Sequence, residues 1–240
     1  MNIRIALVAF ALLLTGCAHR TTSTQLTPKA YGAEIKEVSG GKQAAQVGSA
    51  LPQPVIVQVN GADGNGLAGA LVRFKGEGVN FDPAEALTDS SGQVTTTVQV
   101  GFAAGDYQVI AETPKQDGGM ITIAPALREI ALGYESTLGK AVNDTYCIRC
   151  HDNESTPERV SNFDNLSPAP HQFAEGATYN TFKDSDLINI TSHGGLAVGK
   201  SPQMPAFGGT LKPAEIKAVV AYIRAISDPP YPTPGVKYGK

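Results

Sequence analysis

Cys147-Ile148-Arg149-Cys150-His151 constrains this chain more than any other stretch. Two cysteines three apart, followed at once by a histidine, form the pattern by which a chain holds haem covalently. Each sulfur bonds one of the two haem vinyl groups, and the two-residue gap sets the sulfurs at matching separation. The histidine then falls beneath the ring, where its imidazole binds iron from the proximal side. The same spacing also serves a redox dithiol or half a zinc site. A structural zinc site takes four protein ligands, usually two such pairs, and the only other cysteine is Cys17. The sequence therefore predicts one covalent haem c on Cys147 and Cys150, with His151 as an iron ligand.

Cys17 has a separate use. Residues 1–16 carry a single charge, Arg4, followed by a nearly unbroken apolar run, Ile5–Leu14. Ten residues fall short of the ~20 that a helix needs to cross a bilayer, so the stretch reads as a signal peptide. It ends Leu14-Thr15-Gly16-Cys17, which resembles the lipobox of bacterial lipoproteins. That resemblance implies a multiply acylated Cys17 and hence a firm membrane anchor, since one acyl chain binds only marginally. Ala18 follows, and by analogy with enterobacterial sorting this favours the outer membrane. With all three cysteines assigned, none is left for a disulfide. This agrees with an exported protein, in which a stray thiol is an oxidation hazard. Residues 17–43 lack apolar periodicity and read as a flexible tether, with a root-mean-square span of ~28 Å.

Residues 44–125 read as all-β. Val55, Val57 and Val59 alternate, as do Val72 and Phe74, then Val94, Thr96, Val98 and Val100, then Tyr107, Val109 and Ala111, then Ile121 and Ile123. Turn sequences break the runs: Asp63-Gly64-Asn65-Gly66, Asp89-Ser90-Ser91-Gly92, Gly105-Asp106 and Asp117-Gly118-Gly119. Short strands with Gly/Asp turns predict a β-sandwich. The order of features resembles the bacterial immunoglobulin-like domain of the invasin and intimin type. The matching segments are Leu51-Pro52-x-Pro54, Gly61 to Ala70 leading into Val72-Arg73-Phe74, Phe81-x-Pro83, Thr88 to Val94, and Gly105 to Val109. The resemblance spans about 80 residues and implies a Greek-key sandwich used for adhesion or spacing, without catalysis. The turn aspartates Asp63, Asp82 and Asp89 are expected to bond local backbone.

Residues 126–230 read as all-α, with the helical period starting near Leu127 and a Pro/Gly-rich loose tail following over 231–240. Leu138, Ala141, Val142 and Thr145 form the predicted apolar face of the helix that delivers Cys147. A polar loop with Pro157, Pro168 and Pro170 follows, then a helix from Asp184 stopped at Gly194-Gly195, then the loop Gln203 to Gly208. The last helix carries Ile216, Val219, Val220 and Ile223, with Pro213 in its first turn. For the second axial ligand, Met204 stands against His171, His193 and an open site. Met1 leaves with the signal, and Met120 belongs to a β-run. The loop around Pro168 is the expected source of a carbonyl for the His151 ring nitrogen.

This order resembles a class I c-type cytochrome domain. Gly139-Lys140-Ala141 precedes the cysteines at the usual distance, Met204-Pro205-Ala206-Phe207 matches the distal-methionine loop, and Leu211 to Ile226 matches the final helix. Two departures stand out. Asn143 occupies a place that is commonly aromatic, with Tyr146 nearby to fill it, and Lys212 occupies a usual Ser or Thr cap. The resemblance implies His151 and Met204 as iron ligands and an electron carrier, not an enzyme, alone or as the cytochrome subunit of a larger oxidoreductase. Redox partner proteins, a donor and an acceptor, are the expected partners, alongside the membrane through Cys17. A net charge of −3 gives no reason to expect nucleic acid. From Leu127 onward 11 basic residues face 12 acidic ones, so no basic excess steers the domain onto acidic partners. Two other readings remain: a surface adhesin with an accessory haem domain, and a haem-based sensor or enzyme subunit with an open iron site.

Overall fold

The computed structural model describes residues 26–156 and 159–231. The signal peptide, Cys17, the first part of the expected tether, Pro157 and the tail from 232 lie outside the described residues.

Among the described residues ten strands come first: β1 (Glu34–Ser39), β2 (Ala44–Gln46), β3 (Val55–Asn60), β4 (Leu71–Lys75), β5 (Asn80–Asp82), β6 (Glu85–Leu87), β7 (Gln93–Gln99), β8 (Gly105–Pro114), β9 (Met120–Thr122) and β10 (Leu127–Leu132). One sheet runs β1-β3-β7-β5. The other runs β2-β10-β8-β4-β6, with β9 on β8. The period-two residues face each other between the sheets. Val55, Val57, Val59, Val72, Val98, Val109 and Ala111 are wholly buried there, and each such valine stabilises the fold by ~1.5–3 kcal/mol relative to exposure. This is the expected sandwich. Two of the three aspartates bond local backbone as expected, while Asp82 ends β5. Asp89 Oδ1 accepts from Ser91 N–H at 2.8 Å and Gln93 N–H at 2.9 Å, and Asp63 Oδ1 from Asn65 N–H at 3.1 Å.

The sandwich extends past its expected bounds at both ends. β1 lies in the stretch read as tether and pairs with β3. Its burial pattern has one inward residue, Ile35, too sparse a signal for alternation. β10 lies where a helical period was expected. It pairs with β8 on one side and, in parallel, with β2 on the other. Leu127 and Ala131 face the sandwich core while Ile130 and Leu132 pack on Tyr222 of the helical region. With both faces covered, the strand loses its apolar–polar alternation.

Among the described residues five α-helices follow: α1 (Tyr134–Val142), α2 (Ile148–His151), α3 (Gly176–Tyr179), α4 (Asp184–Ala197) and α5 (Pro213–Ile226). β10 runs straight into α1 through Gly133. α1 crosses α5 where a Cβ on Gly139 would stand 1.9 Å from the Ala218 carbonyl oxygen. The buried face of α1 is therefore Gly139 and Val142. Leu138 and Ala141, expected in that face, lie on the solvent side. The two domains share more than a linker. Besides the Tyr222 contact, Arg128 Nη2 donates to the Ala225 carbonyl at 3.4 Å. α5 does not fray at Lys212, because the Glu215 carboxylate accepts the Lys212 N–H at 2.7 Å and Pro213 fills the first turn. Tyr231, assigned by sequence to the tail, stacks over the Arg224 guanidinium at 3.9 Å.

Candidate haem site

α1 does not stop at Val142. It widens into a π-turn over Asn143–Cys147 and continues as α2. Cys147, Cys150 and His151 thus stand at i, i+3 and i+4 of helical backbone, which puts all three on one face. Asp152 is extended and ends the helix. The chain behind it is fastened by Asn162 N–H to the Arg149 carbonyl at 2.7 Å and by Ser161 Oγ to the Asp152 carbonyl at 2.6 Å.

The imidazole of His151 is fixed on three sides. Its Nδ1 lies 2.8 Å from the His171 carbonyl oxygen, and a carbonyl only accepts, so Nδ1 carries the proton and Nε2 keeps a free lone pair. Phe173 stacks on the ring at 4.3 Å and 25°. The Tyr179 hydroxyl lies 3.3 Å from Nδ1 and donates to the same His171 carbonyl at 3.1 Å. The carbonyl comes from His171, three residues past Pro168 in the loop expected to supply it. Burial holds the His151 pKa below the ordinary histidine value, the His171 bond working against that shift. That direction favours the neutral ring, the form that ligates metal.

The opposite wall is the Gln203–Gly208 loop. Gly195 N–H donates to the Met204 carbonyl at 3.0 Å, and Phe207 N–H to the Thr191 carbonyl at 3.0 Å. α4 admits this loop because it breaks at Gly194, whose φ of 77° and ψ of 168° interrupt the helix. A Cβ on Gly194 would lie 2.9 Å from both Ala206 N and the Met204 carbonyl oxygen, and one on Gly195 would lie 3.2 Å from Met204 Cβ. The two glycines, expected to stop the helix, bend it and cradle the methionine loop.

Between these walls lies a cavity of about 430 Å³, lined by Cys147, Cys150, His151 and Met204 together with Leu166, Phe182, Leu187, Ile190 and Ile223. The size falls within the range of cofactor pockets. Lys200, Ser201, Gln203, Thr178 and Thr191 line it as well and add polar groups. Tyr146 does not take the place vacated at Asn143. Asn143 is buried, while Tyr146 lines the cavity, half-exposed and edge-on to Phe207 at 6.1 Å. His171 also lines the cavity, but its imidazole pairs with Glu175 at 3.0 Å. His193 lines a separate depression, its Nδ1 3.1 Å from the Asn189 carbonyl. Met120 is on β9 in the sandwich.

The donor set fits a haem. Two thiols share a face with an imidazole, and a soft thioether lies on the loop across an apolar cavity. The alternatives fit less well. Burial, with Cys150 adding, pushes the Cys147 thiol up to about 12, whereas a redox dithiol needs a lowered pKa. Among the described residues no group of three or more His, Cys, Asp or Glu side chains is placed to hold a metal ion.

Three residues that the sequence reading did not single out shape the site: Phe173, Tyr179 and Arg224. Arg224 is nearly buried on α5. It donates to the Tyr179 and Phe182 carbonyls, both at 2.7 Å, and to Asp184 Oδ1 at 2.9 Å. It closes the α3–α4 turn onto α5. A signal was present, since Arg224 falls four residues after Val220 in the apolar stripe of that helix. Tyr179 and Phe173 sit in a stretch without periodicity and gave none.

Residues 135–223 match the family model described as cytochrome C oxidase, cbb3-type, subunit III. No curated protein matches the chain. Among solved structures, the chain is similar to the D0-D1 domain of intimin at 20% identity and a TM-score of 0.32, covering 42% of this chain and 48% of that one. It is similar to FdeC, an Escherichia coli adhesin, at 15% and 0.32, covering 43% and 32%. It is also similar to the Yersinia pseudotuberculosis adhesin InvE at 12% and 0.30, covering 42% and 32%. The chain spans half or less of the length of each of these structures. The helical region at 135–223 is a cytochrome c domain, joined in one chain to the all-β sandwich that precedes it.

Proposed function

We propose that the protein is a membrane-anchored electron carrier with one covalent haem c, held by Cys147 and Cys150 and ligated through iron by His151 and Met204. The observation that carries this reading is the convergence of those four side chains, from two separate segments, on one apolar cavity. Bound there, the haem supplies a one-electron couple between ferric and ferrous iron. The chain does the rest. His151 presents the Nε2 lone pair because Nδ1–H is committed to His171. Met204 supplies a thioether, which favours the reduced metal and raises the potential. The apolar walls exclude water. With His151 and Met204 both committed to the iron, peroxide, oxygen and nitric oxide would find no position, so the reading is a carrier and neither a sensor nor an enzyme. Donor and acceptor proteins would meet the exposed edge beside Tyr146 and Lys200. Cys17 would carry the lipid that holds the protein in the cell envelope, in the outer membrane, with the sandwich as a spacer.

The test is retention of haem. Haem is expected to stay with the chain through denaturation and acidic organic extraction, and Cys147→Ala with Cys150→Ala to release it. Extractable haem in the wild type overturns the covalent reading. Cys17→Ser is expected to move the protein to the soluble fraction. Retention on membranes with normal signal cleavage places the anchor elsewhere.

A further inference from the structure

The three-way meeting of His151 Nδ1, the His171 carbonyl and the Tyr179 hydroxyl has a consequence beyond holding a ring in place. We propose that Tyr179 is a positioning residue that sets the haem potential, by sharing the carbonyl to which His151 donates. The proposal rests on the reading above that His151 ligates the haem iron.

The His171 oxygen has two lone pairs and receives two donors, Nδ1–H at 2.8 Å and the Tyr179 O–H at 3.1 Å. Two donors draw on the same electron density, so each bond is weaker than it would be alone. The bond from Nδ1–H gives the imidazole its basicity toward a metal. A stronger bond makes a more electron-rich ligand, stabilises ferric iron and lowers the potential. By taking part of the carbonyl, Tyr179 holds that bond below full strength and keeps the potential up. The weaker 3.3 Å approach of the hydroxyl to Nδ1 itself is a secondary contact beside the 2.8 Å bond.

The arrangement is built rather than incidental. Tyr179 is almost wholly buried, and Phe173 lies edge-on against it at 5.5 Å while stacking on His151. Arg224 holds the Tyr179 carbonyl at 2.7 Å, so α5 fixes where the hydroxyl points. Burial, with Glu175 and Cys147 adding, raises the Tyr179 pKa, so the hydroxyl remains a donor.

The experiment is potentiometric titration of the purified, haem-loaded protein with its visible spectrum, in the wild type and in Tyr179→Phe. Phe keeps the ring contacts and leaves no donor unpaired. One hydrogen bond of net ~0.5–1.5 kcal/mol corresponds to a roughly 2- to 12-fold change in the reduction equilibrium, and tenfold is ~59 mV for one electron. The potential is expected to fall with the low-spin spectrum unchanged. Site-specific 3-fluorotyrosine at position 179, a stronger donor of nearly the same size, is expected to move it upward. It also gives a reading should Tyr179→Phe fail to fold. If the wild type is low-spin and both substitutions leave the potential unmoved, or move it in the opposite sense, the role of Tyr179 is overturned and the electron-carrier reading stands. If the wild type holds no haem, or His151→Ala leaves its spectrum unchanged, the underlying reading falls and this proposal with it.

Discussion

Gly139→Ala tests the crossing on which the haem site is hung. Gly139 lies on α1 eight residues before Cys147 and faces α5. An added Cβ would stand 1.9 Å from the Ala218 carbonyl oxygen, 2.5 Å from its carbon and 2.8 Å from Tyr222 Cβ, where real contacts keep to 3.0 Å or more. Two of the three obstacles are backbone in mid-helix and cannot swing aside as a flexible side chain would. The helices must therefore part by about an ångström. Overpacking of this kind costs ~1–3 kcal/mol, and the rigid backbone here argues for the upper end. Alanine favours the helix over glycine by ~1 kcal/mol, which offsets part of it. The expected net loss is about 2 kcal/mol, read from the urea midpoint of the purified protein with its slope unchanged. Because α1 delivers the cysteines, the fraction of chains carrying haem is expected to fall as well. A midpoint shifted upward, by the ~1 kcal/mol that propensity alone would give, refutes the close crossing.

Two further predictions follow from buried charge. Glu129 is wholly buried on the core-facing side of β10. One oxygen accepts the Gln43 N–H at 2.8 Å and the other has no partner among the described residues. Burial, opposed by that bond and reinforced by the charge of Glu37, raises its pKa from 4.5 to about 7. The folded state thus holds the proton more tightly than the unfolded chain. This contribution to stability is full below pH 4.5 and is lost as pH rises through about 7, amounting to roughly 1–3 kcal/mol. Urea midpoints at pH 5 and pH 8 are expected to differ in that sense, and Glu129→Gln to flatten the difference; equal slopes in variant and wild type count against it. Arg224→Met keeps the apolar stem but leaves the Tyr179 and Phe182 carbonyls without their donor, at ~1–3 kcal/mol each. Thermal unfolding is expected to reveal a loss of at least 2 kcal/mol, and a change under 0.5 kcal/mol would show those bonds to be replaceable by water.

Much of this architecture was legible in the residues, for identifiable reasons. The sandwich core could be read because β3 and β7 each alternate more and less buried residues, which imprints period two on Val55–Val59 and Val94–Val100. β10 escaped because the helical domain covers its outer face, so Ile130 and Leu132 break the alternation. β2, β5 and β6 are three residues long, too short for any period to register. On α1 the expected apolar face was displaced because the true contact is made by glycine. Gly139 has no side chain to count, yet a Cβ there would stand 1.9 Å from the Ala218 carbonyl oxygen. The Cys147–His151 pentapeptide and Met204 could be singled out because their chemistry is local to a short motif. Tyr179, Phe173 and the His171 carbonyl reach His151 only through the folding of a long irregular loop, and irregular loops carry no periodic signal.

The electron-carrier account depends above all on Met204 serving with His151 as a second protein ligand to the iron. The direct measurement is the ferric absorption spectrum of the purified haem-loaded protein beside that of Met204→Ala, followed by addition of carbon monoxide to the reduced forms. The account predicts a low-spin spectrum with a sulfur-to-iron charge-transfer band in the wild type, loss of that band in Met204→Ala, and rapid carbon monoxide binding only in the variant. A wild type that binds carbon monoxide rapidly, or a spectrum indifferent to Met204→Ala, would contradict it.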